Sequence, residues 1–462
     1  MTVSTSPAAV HDRMTPRARG LLLVLCGAMF LDALDVSMKG VALPSIGAEL
    51  GLTTASLQWV VSGYVLGFGG FLLLGGRAAD LLGRRRMLIG SLVVFAVATA
   101  LGGFATDGPL LIAARFVTGV SAAFSAPAGF SIITTSFTEG PVRNKALSIY
   151  SATGAAGFSL GLVAGGLLTE VSWRWVFHAP VVVALATLAG ALAVVPRTPR
   201  PARTGGFDVA GSATITAAML LLVFTLVEAP NAGWASVRTL GSLAAVVVLL
   251  AAFAVIERRV SAPLVRLGVL RSGALVRATV GALSLLGGWV SALFIVTLYL
   301  QDFRGWSALE TGLAVAPSGL VVALLAPRIA APLVGRFGSG RVALAGLTSS
   351  VAAYALLRFL DATSGYVTLM LPAFLLVGLA FTLTYGPLTM AAADSVPAAD
   401  QGLAGGLVNT SFQVGPAVAL GVVSAVSTTG ADLLSGLQAA LVVPLIVAAL
   451  GVAAMLPSLR RA

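Results

Sequence analysis

Fourteen apolar stretches alternate along the chain with short polar breaks marked by charge, proline or glycine. They lie near residues 20–47, 57–76, 87–106, 109–133, 146–169, 175–195, 208–229, 238–257, 274–300, 308–331, 340–360, 366–391, 402–426 and 434–457. About 20 apolar residues in an α-helix cover the roughly 30 Å hydrocarbon core of a bilayer. Lipid offers no hydrogen bonds, so a spanning backbone must satisfy itself, as a helix does. The pattern predicts an all-α polytopic membrane protein with 14 transmembrane helices. The longest breaks run to roughly 15–20 residues, too short for a separate soluble domain. An even number of spans puts both termini on one side of the membrane. The first apolar stretch lacks a small-residue cleavage site and reads as a span, not a removable signal.

Charge fixes the orientation. Alternating spans put Arg13, Arg17, Arg19, Arg77, Arg84, Arg85, Arg86, Arg143 and Lys145 on the N-terminal side. The same side takes Arg197, Arg200, Arg203, Arg258, Arg259, Arg266, Arg271, Arg277, Arg328, Arg336, Arg341, Arg460 and Arg461. That is 22 of the 28 basic residues. The opposite side has Arg174, Arg238, Arg304 and Arg358. Lys/Arg-rich short loops stay in the cytoplasm, so both termini are expected there. The alternation also checks the span count, because one missed span would scramble it.

Composition agrees. The chain is 58% hydrophobic and 10% charged, whereas soluble domains are about a quarter charged. The net charge of +11 is spread over loops on one side and does not form a nucleic-acid stripe. The only cysteine, Cys26, and the separate His11 and His178 leave no disulfide and no metal cluster to expect. No G-x-x-x-x-G-K-[ST] sequence is present, so nothing supports an ATP-driven pump. Glycine-rich runs fall inside apolar spans, and paired carboxylates occur only in span 1. The chain is expected not to be an enzyme and to need no cofactor.

Span 1 is where the apolar pattern fails. Its segment Leu31–Ile46 carries Asp32, Asp35 and Lys39. At about 1.5 Å per residue, Asp32 lies roughly 18–20 Å and Asp35 about 24 Å past Arg19. The three side chains fall within about 60° on one helix face. Ionisable groups in a span face a bundle interior or wet cavity and mark an ion or substrate path. Alternatively, Asp35 and Lys39 only staple the helix at i,i+4, which leaves Asp32 unexplained.

A weak internal repeat suggests the organisation. Gly76–Arg86 (GRAADLLGRRR) follows span 2, and Gly335–Arg341 (GRFGSGR) follows span 10. Two related six-helix halves of this kind are a transporter feature. The expected division is a tail at 1–19, a first bundle at 20–195, a linker with an inserted helix pair at 196–273, a second bundle at 274–457 and a tail at 458–462. The polar stretch Pro196–Gly206 closes the first half.

These residues resemble the major facilitator superfamily, and within it the fourteen-helix drug:proton antiporters. Gly76, Asp80, Gly83, Arg84 and Arg85 match the superfamily's loop 2–3 motif, which implies a conformational latch. Span 1 is similar to the subfamily's first-helix motif, with Asp35 on its acid and Pro44 on its proline. Lys39 stands where an apolar residue is usual and Gly40 where Asn is usual. Span 4, ARFVTGVSAAFSAP (Ala114–Pro127), resembles the fourth-helix motif with a buried Arg at Arg115 and a Gly at Gly119. Arg115 there can exchange partners when a nearby acid takes a proton; otherwise it snorkels to the interface. Span 5 carries Gly154, Gly157, Gly161, Gly165 and Gly166 and resembles the antiporter helix, with Leu162 in place of the usual Pro. Such a small-residue face also serves close packing. Gly415-Pro416 in span 13 reads as its counterpart. Ser172–Pro180, Leu298–Pro317 and Gly402–Gly415 extend the resemblance over nearly the whole chain.

The resemblance implies a proton-coupled secondary transporter in the bacterial inner membrane, exporting lipophilic drugs or antibiotics by alternating access. Asp35, Asp32 and Arg115 are the expected proton-coupling residues. Lys39, Asn409, Gln413 and Glu228 are candidate cavity residues. Asn409 and Gln413 could instead bond a neighbouring helix, and Glu228 could instead sit at the outer interface. The expected partners are a small-molecule substrate, protons and the lipid bilayer, with no nucleic acid and the chain working as a monomer. Rival readings are a dedicated exporter of a self-made secondary metabolite and a proton-coupled importer of a small metabolite. A reporter fused to the C-terminus is expected to be active when it works in the cytoplasm and silent when it needs export; the reverse result would overturn the orientation.

Overall fold

The computed structural model describes residues 14–52, 54–137, 140–197, 208–260, 267–397, 401–427 and 430–459. Arg13, Arg200, Arg203, Arg266, Arg460, Arg461 and most of the Pro196–Gly206 stretch lie outside them. The described residues form helices without strands, and fourteen of the helices are long and apolar enough to cross a bilayer. They are α1 (Pro16–Leu50), α2 (Trp59–Ala79), α3 (Arg84–Gly103), α4 (Gly108–Ser136), α5 (Lys145–Val171), α6 (Trp175–Val194) and α7 (Val209–Ala229). The rest are α8 (Val237–Arg259), α9 (Gly273–Phe303), α10 (Leu309–Phe337), α11 (Ser339–Leu357), α12 (Tyr366–Asp394), α13 (Ala404–Ser427) and α14 (Leu433–Leu459).

Local chemistry sets the ends. Asp107 accepts from Leu110 N at 2.8 Å to start α4, and Ser307 with Glu310 forms a capping box before α10. Each cap satisfies backbone donors that the first turn leaves open. The loop 2–3 motif is mostly not loop. Its helix continues to Leu82, and Gly83 alone makes the turn, at φ +99°. The matching turn before α11 is Gly338, at φ +82°. Only glycine adopts such angles without strain, so each glycine permits a one-residue connection between two antiparallel helices.

The halves repeat one packing scheme. In the first, α1 packs on α5 and α6, α2 on α4, and α3 on α4 and α6. In the second, α9 packs on α13 and α14, α10 on α12, and α11 on α12 and α14. Adding eight to each helix number turns one list into the other. The halves meet along α5–α10 and α2–α13, a pair of seams related by the same shift. The pair α7–α8 breaks the symmetry: α7 lies against α2 and α13, while α8 is mostly exposed.

Close approach within each half depends on glycine. A β-carbon on Gly67 or Gly75 would run into the carbonyl oxygen of Phe116 or Ala123 in α4, and one on Gly119 into that of Tyr64 in α2. On α5, Gly157 and Gly161 face backbone of α1 at Phe30 and Leu34, where a β-carbon would lie 2.7 and 2.8 Å from the carbonyl oxygens. Gly415 of α13 occupies the equivalent place against Leu283 of α9. Lipid tails match side chains in polarity, so helices associate through such packing and not through water exclusion.

Gly75→Val and Gly119→Val are expected to lower stability by about 1–3 kcal/mol or more through overpacking. Gly90→Val and Gly241→Val, where a β-carbon meets nothing within 4 Å, should cost far less. Thermal unfolding in detergent reads the difference, and equal losses would refute the packing account.

Candidate functional site

The site begins with a carboxylate that hydrocarbon cannot tolerate alone. Asp35 in α1 is fully buried, and so are Lys39 and Arg115. Lys39 Nζ donates to Asp35 Oδ1 one helical turn away. Arg115 Nη1, from α4, donates to Asp35 Oδ2 at 2.6 Å. Arg115 Nε also donates to the Val60 carbonyl in α2 at 3.2 Å. The Tyr64 ring lies 4.8 Å from the guanidinium, and the Phe177 ring of α6 lies 4.7 Å from Lys39 Nζ. Aromatic faces attract cations. One acid therefore engages two cations, and the cluster joins α1, α2, α4 and α6. Gly119 lets α4 lie close against α2, where Arg115 meets the Val60 carbonyl.

Asp32 lies in a different setting. It is partly exposed and accepts from Ser125 Oγ of α4 at 3.3 Å. Among the described residues no cation pairs with it. Tyr64 is close enough to feel the charges of Asp32, Asp35 and Arg115. Tyr150 of α5 lies within electrostatic range of both Asp32 and Tyr385 of α12. Tyr385 stacks on Phe412 of α13 with ring centroids 4.5 Å apart. The surroundings of Asp32 thus draw side chains from both halves.

Sequence reasoning missed Ser125, Tyr64, Tyr150 and Tyr385. A signal for the tyrosines did exist: the chain has only six, and three of them fall here.

The other expected residues divide by place. Asn409 donates to Gly405 O of its own helix at 3.0 Å, and Gln413 is partly exposed with no hydrogen bond among the described residues. Neither bonds a neighbouring helix. Glu228 is at the far end of α7 and accepts from Trp59 Nε1 of α2 at 3.0 Å. Gly40 is exposed, and a β-carbon there would meet nothing within 4 Å.

In the loop 2–3 motif, Arg84 donates to Thr135 Oγ1 at 2.7 Å, at the end of α4. Arg85 donates to the carbonyls of Val195 at 2.9 Å and Leu192 at 3.0 Å, at the end of α6. The Asp80 side chain lies outside the described residues. Gly76 approaches Pro127 at ordinary contact distance, and the tight neighbour is Gly75. In the second half Arg341 reaches Leu459 O of α14 at 3.4 Å, a counterpart of the Arg85 contact. On α5, Gly154, Gly157, Gly161 and Gly165 face α1, whereas Gly166 faces Leu309 at the start of α10. Leu162 is buried, and its carbonyl lies against Gly312 of α10.

Comparison with known proteins places this arrangement. Residues 25–420 match the family model described as Major Facilitator Superfamily. The chain is 37% identical over 421 residues to the puromycin resistance protein pur8 of Streptomyces alboniger, covering 89% of this chain and 82% of that one. It is 36% identical over 426 residues to the cephamycin export protein CmcT of Amycolatopsis lactamdurans, covering 90% and 86%. Among solved structures, the POT family transporter PepTSo aligns at 17% identity with a TM-score of 0.68, covering 97% of this chain and 100% of that one.

Removing one partner from a buried ion pair costs about 3–5 kcal/mol, because a charge is left without a counterpart. Asp35→Asn strands two cations, whereas Lys39→Met leaves Asp35 paired with Arg115. Thermal unfolding is expected to rank Asp35→Asn as the more damaging; the opposite order would show that Lys39, not Asp35, holds the cluster.

Proposed function

The chain belongs to the Major Facilitator Superfamily, and from that premise we propose that it is a proton-coupled exporter of antibiotic-like small molecules. Relatives named for puromycin resistance and cephamycin export, both over 30% identical across most of the chain, support the cargo class. On this reading the chain is a transporter and not an enzyme, works as a monomer without a cofactor, and sits in the bacterial inner membrane with both termini in the cytoplasm.

The observation that carries the mechanism is the contrast between two acids one turn apart. Asp35 is saturated by Lys39 and Arg115 and keeps its charge, because separating such a cluster in a low-dielectric interior is expensive. Asp32 has only a hydroxyl partner and open space beside it. Asp32 is therefore the acid that exchanges a proton, and Asp35 the fixed hub beside it. With Asp32 ionised, the four charged groups of the site balance; with Asp32 protonated, a positive charge is left over. A cationic cargo and a proton then compete for the same carboxylate, which is the condition for exchange. Alternating access follows if the two halves rock along the α5–α10 and α2–α13 seams. The start of α3 is anchored to α4 and α6 by Arg84 and Arg85, so the first half moves as a block.

A narrower reading has its own support. Two relatives are named for the export of a single compound, the cephamycin export protein and, at 32% identity, the tetracenomycin C resistance and export protein of Streptomyces glaucescens. They favour a dedicated exporter of one metabolite.

The test is substrate-induced proton flux in proteoliposomes with a panel of lipophilic cations and neutral antibiotics. Wild type is expected to respond to at least one compound, and Asp32→Asn to lose the response by at least tenfold, with weakened binding of cationic compounds and retained binding of neutral ones. A fully coupled Asp32→Asn protein would return the role to Asp35. A response to one compound alone would select the dedicated exporter.

A further inference from the structure

Helices α1 and α5 touch tightly where Gly154 and Gly157 meet Met29 and Phe30. On the N-terminal side of that crossing the two helices border a gap. The gap is a cleft of about 760 Å³ lined by these two helices and the residues just before them, among them Arg19, Leu23, Cys26, Gly27 and Phe30 of α1 and Lys145 of α5. Its position shows which way it opens. Leu23, one turn inside the start of an apolar span, is 74% exposed, so the cleft faces the bilayer.

Three properties define an occupant. First, the walls are apolar. Second, the mouth has two cations, Arg19 and Lys145, both exposed. Among the described residues neither side chain has an ion pair or hydrogen bond, and no acid lines the cleft. Third, its length fits. Eleven residues separate Arg19 from Phe30, or about 16 Å at the helical rise, and half the hydrocarbon core is about 15 Å. The cations therefore sit at headgroup depth and the closed end near the bilayer midplane.

We propose that this cleft is a binding site for one anionic glycerophospholipid of the leaflet on the N-terminal side. Its phosphate bridges Arg19 and Lys145, and one acyl chain fills the groove down to Phe30. The lipid ties together the two bordering helices, one of which carries Asp32 and Asp35. A neutral or cationic amphiphile would fit the walls but leave both cations without partners at the mouth. The site stands apart from the cargo reading, since it lies on the outer face of the first half.

The test uses the purified full-length chain in detergent with added phosphatidylglycerol or phosphatidylcholine, and native mass spectrometry counts retained lipid. Wild type is expected to retain one phosphatidylglycerol in preference to phosphatidylcholine. Two basic residues near a membrane surface contribute about 1 kcal/mol each, so Arg19→Gln with Lys145→Gln should weaken retention roughly thirtyfold. Arg86→Gln removes an exposed charge from the same side, outside the cleft, and should change nothing. Leu23→Trp leaves every charge in place, narrows the groove from its exposed rim, and should also reduce retention. Melting temperatures without lipid identify any variant that has lost its fold. Equal retention of the two lipids, or a double variant that behaves like Arg86→Gln, overturns the proposal. So does a cleft variant that shifts the binding of a transported compound without changing lipid retention, since the cleft would then be an entry for cargo.

Discussion

Placing a carboxylate inside a membrane is the constraint around which the first half is arranged. Asp35 tolerates burial because Lys39 and Arg115 reach it from two helices, and Arg115 in turn satisfies a carbonyl of a third. Those reaches are short, so α1, α2 and α4 must lie close together. They do so because glycines on α2 and α4 place backbone against backbone. Electrostatics and packing are thus one requirement here. A bulkier face on α2 would push α4 away and leave Asp35 with fewer partners than hydrocarbon permits.

The second half has the same helix pairing without the same chemistry. Its equivalent tight contact, Gly415 on Leu283, is present, yet its polar spanning residues, Asn409 and Gln413, are uncharged. One fold unit therefore carries two chemistries: a first half with an ion cluster buried inside its spans, and a second half whose equivalent contact is lined by uncharged side chains. Tyr385 and Phe412 bring that second half towards Asp32 through Tyr150. The extra pair α7–α8 lies over one of the two seams only, with Glu228 and Trp59 holding α7 to α2.

Fourteen spans are legible in the sequence because each one satisfies a length and an apolarity set by the bilayer, and the Arg distribution checks the count. Asp32, Asp35, Lys39 and Arg115 stand out because charges are rare in such segments. Pairing is harder to read. That Arg115 meets Asp35 is a fact about two helices 80 residues apart, and periodicity speaks only of one helix at a time. The loop 2–3 motif misleads because arginines and glycines look like a loop, whereas a single left-handed residue, Gly83, suffices to turn the chain. Ser125, Tyr150 and Tyr385 escape notice because a hydroxyl gives no signal until a partner stands beside it. The tight glycine proves to be Gly75, next to the motif's Gly76, since the face towards α4 is decided by how the helices cross.

The glycine contacts also bear on how such a chain can change over generations. Where a helix touches the carbonyl of its neighbour, every substitution adds an atom that has nowhere to go. Those positions are closed to gradual variation. Partly exposed positions such as Tyr385 and Gln413 carry no such restriction. Lineages of this architecture would therefore be expected to diversify along the cavity wall while the scaffold stays almost motionless, acquiring new cargoes without having to solve the membrane problem again.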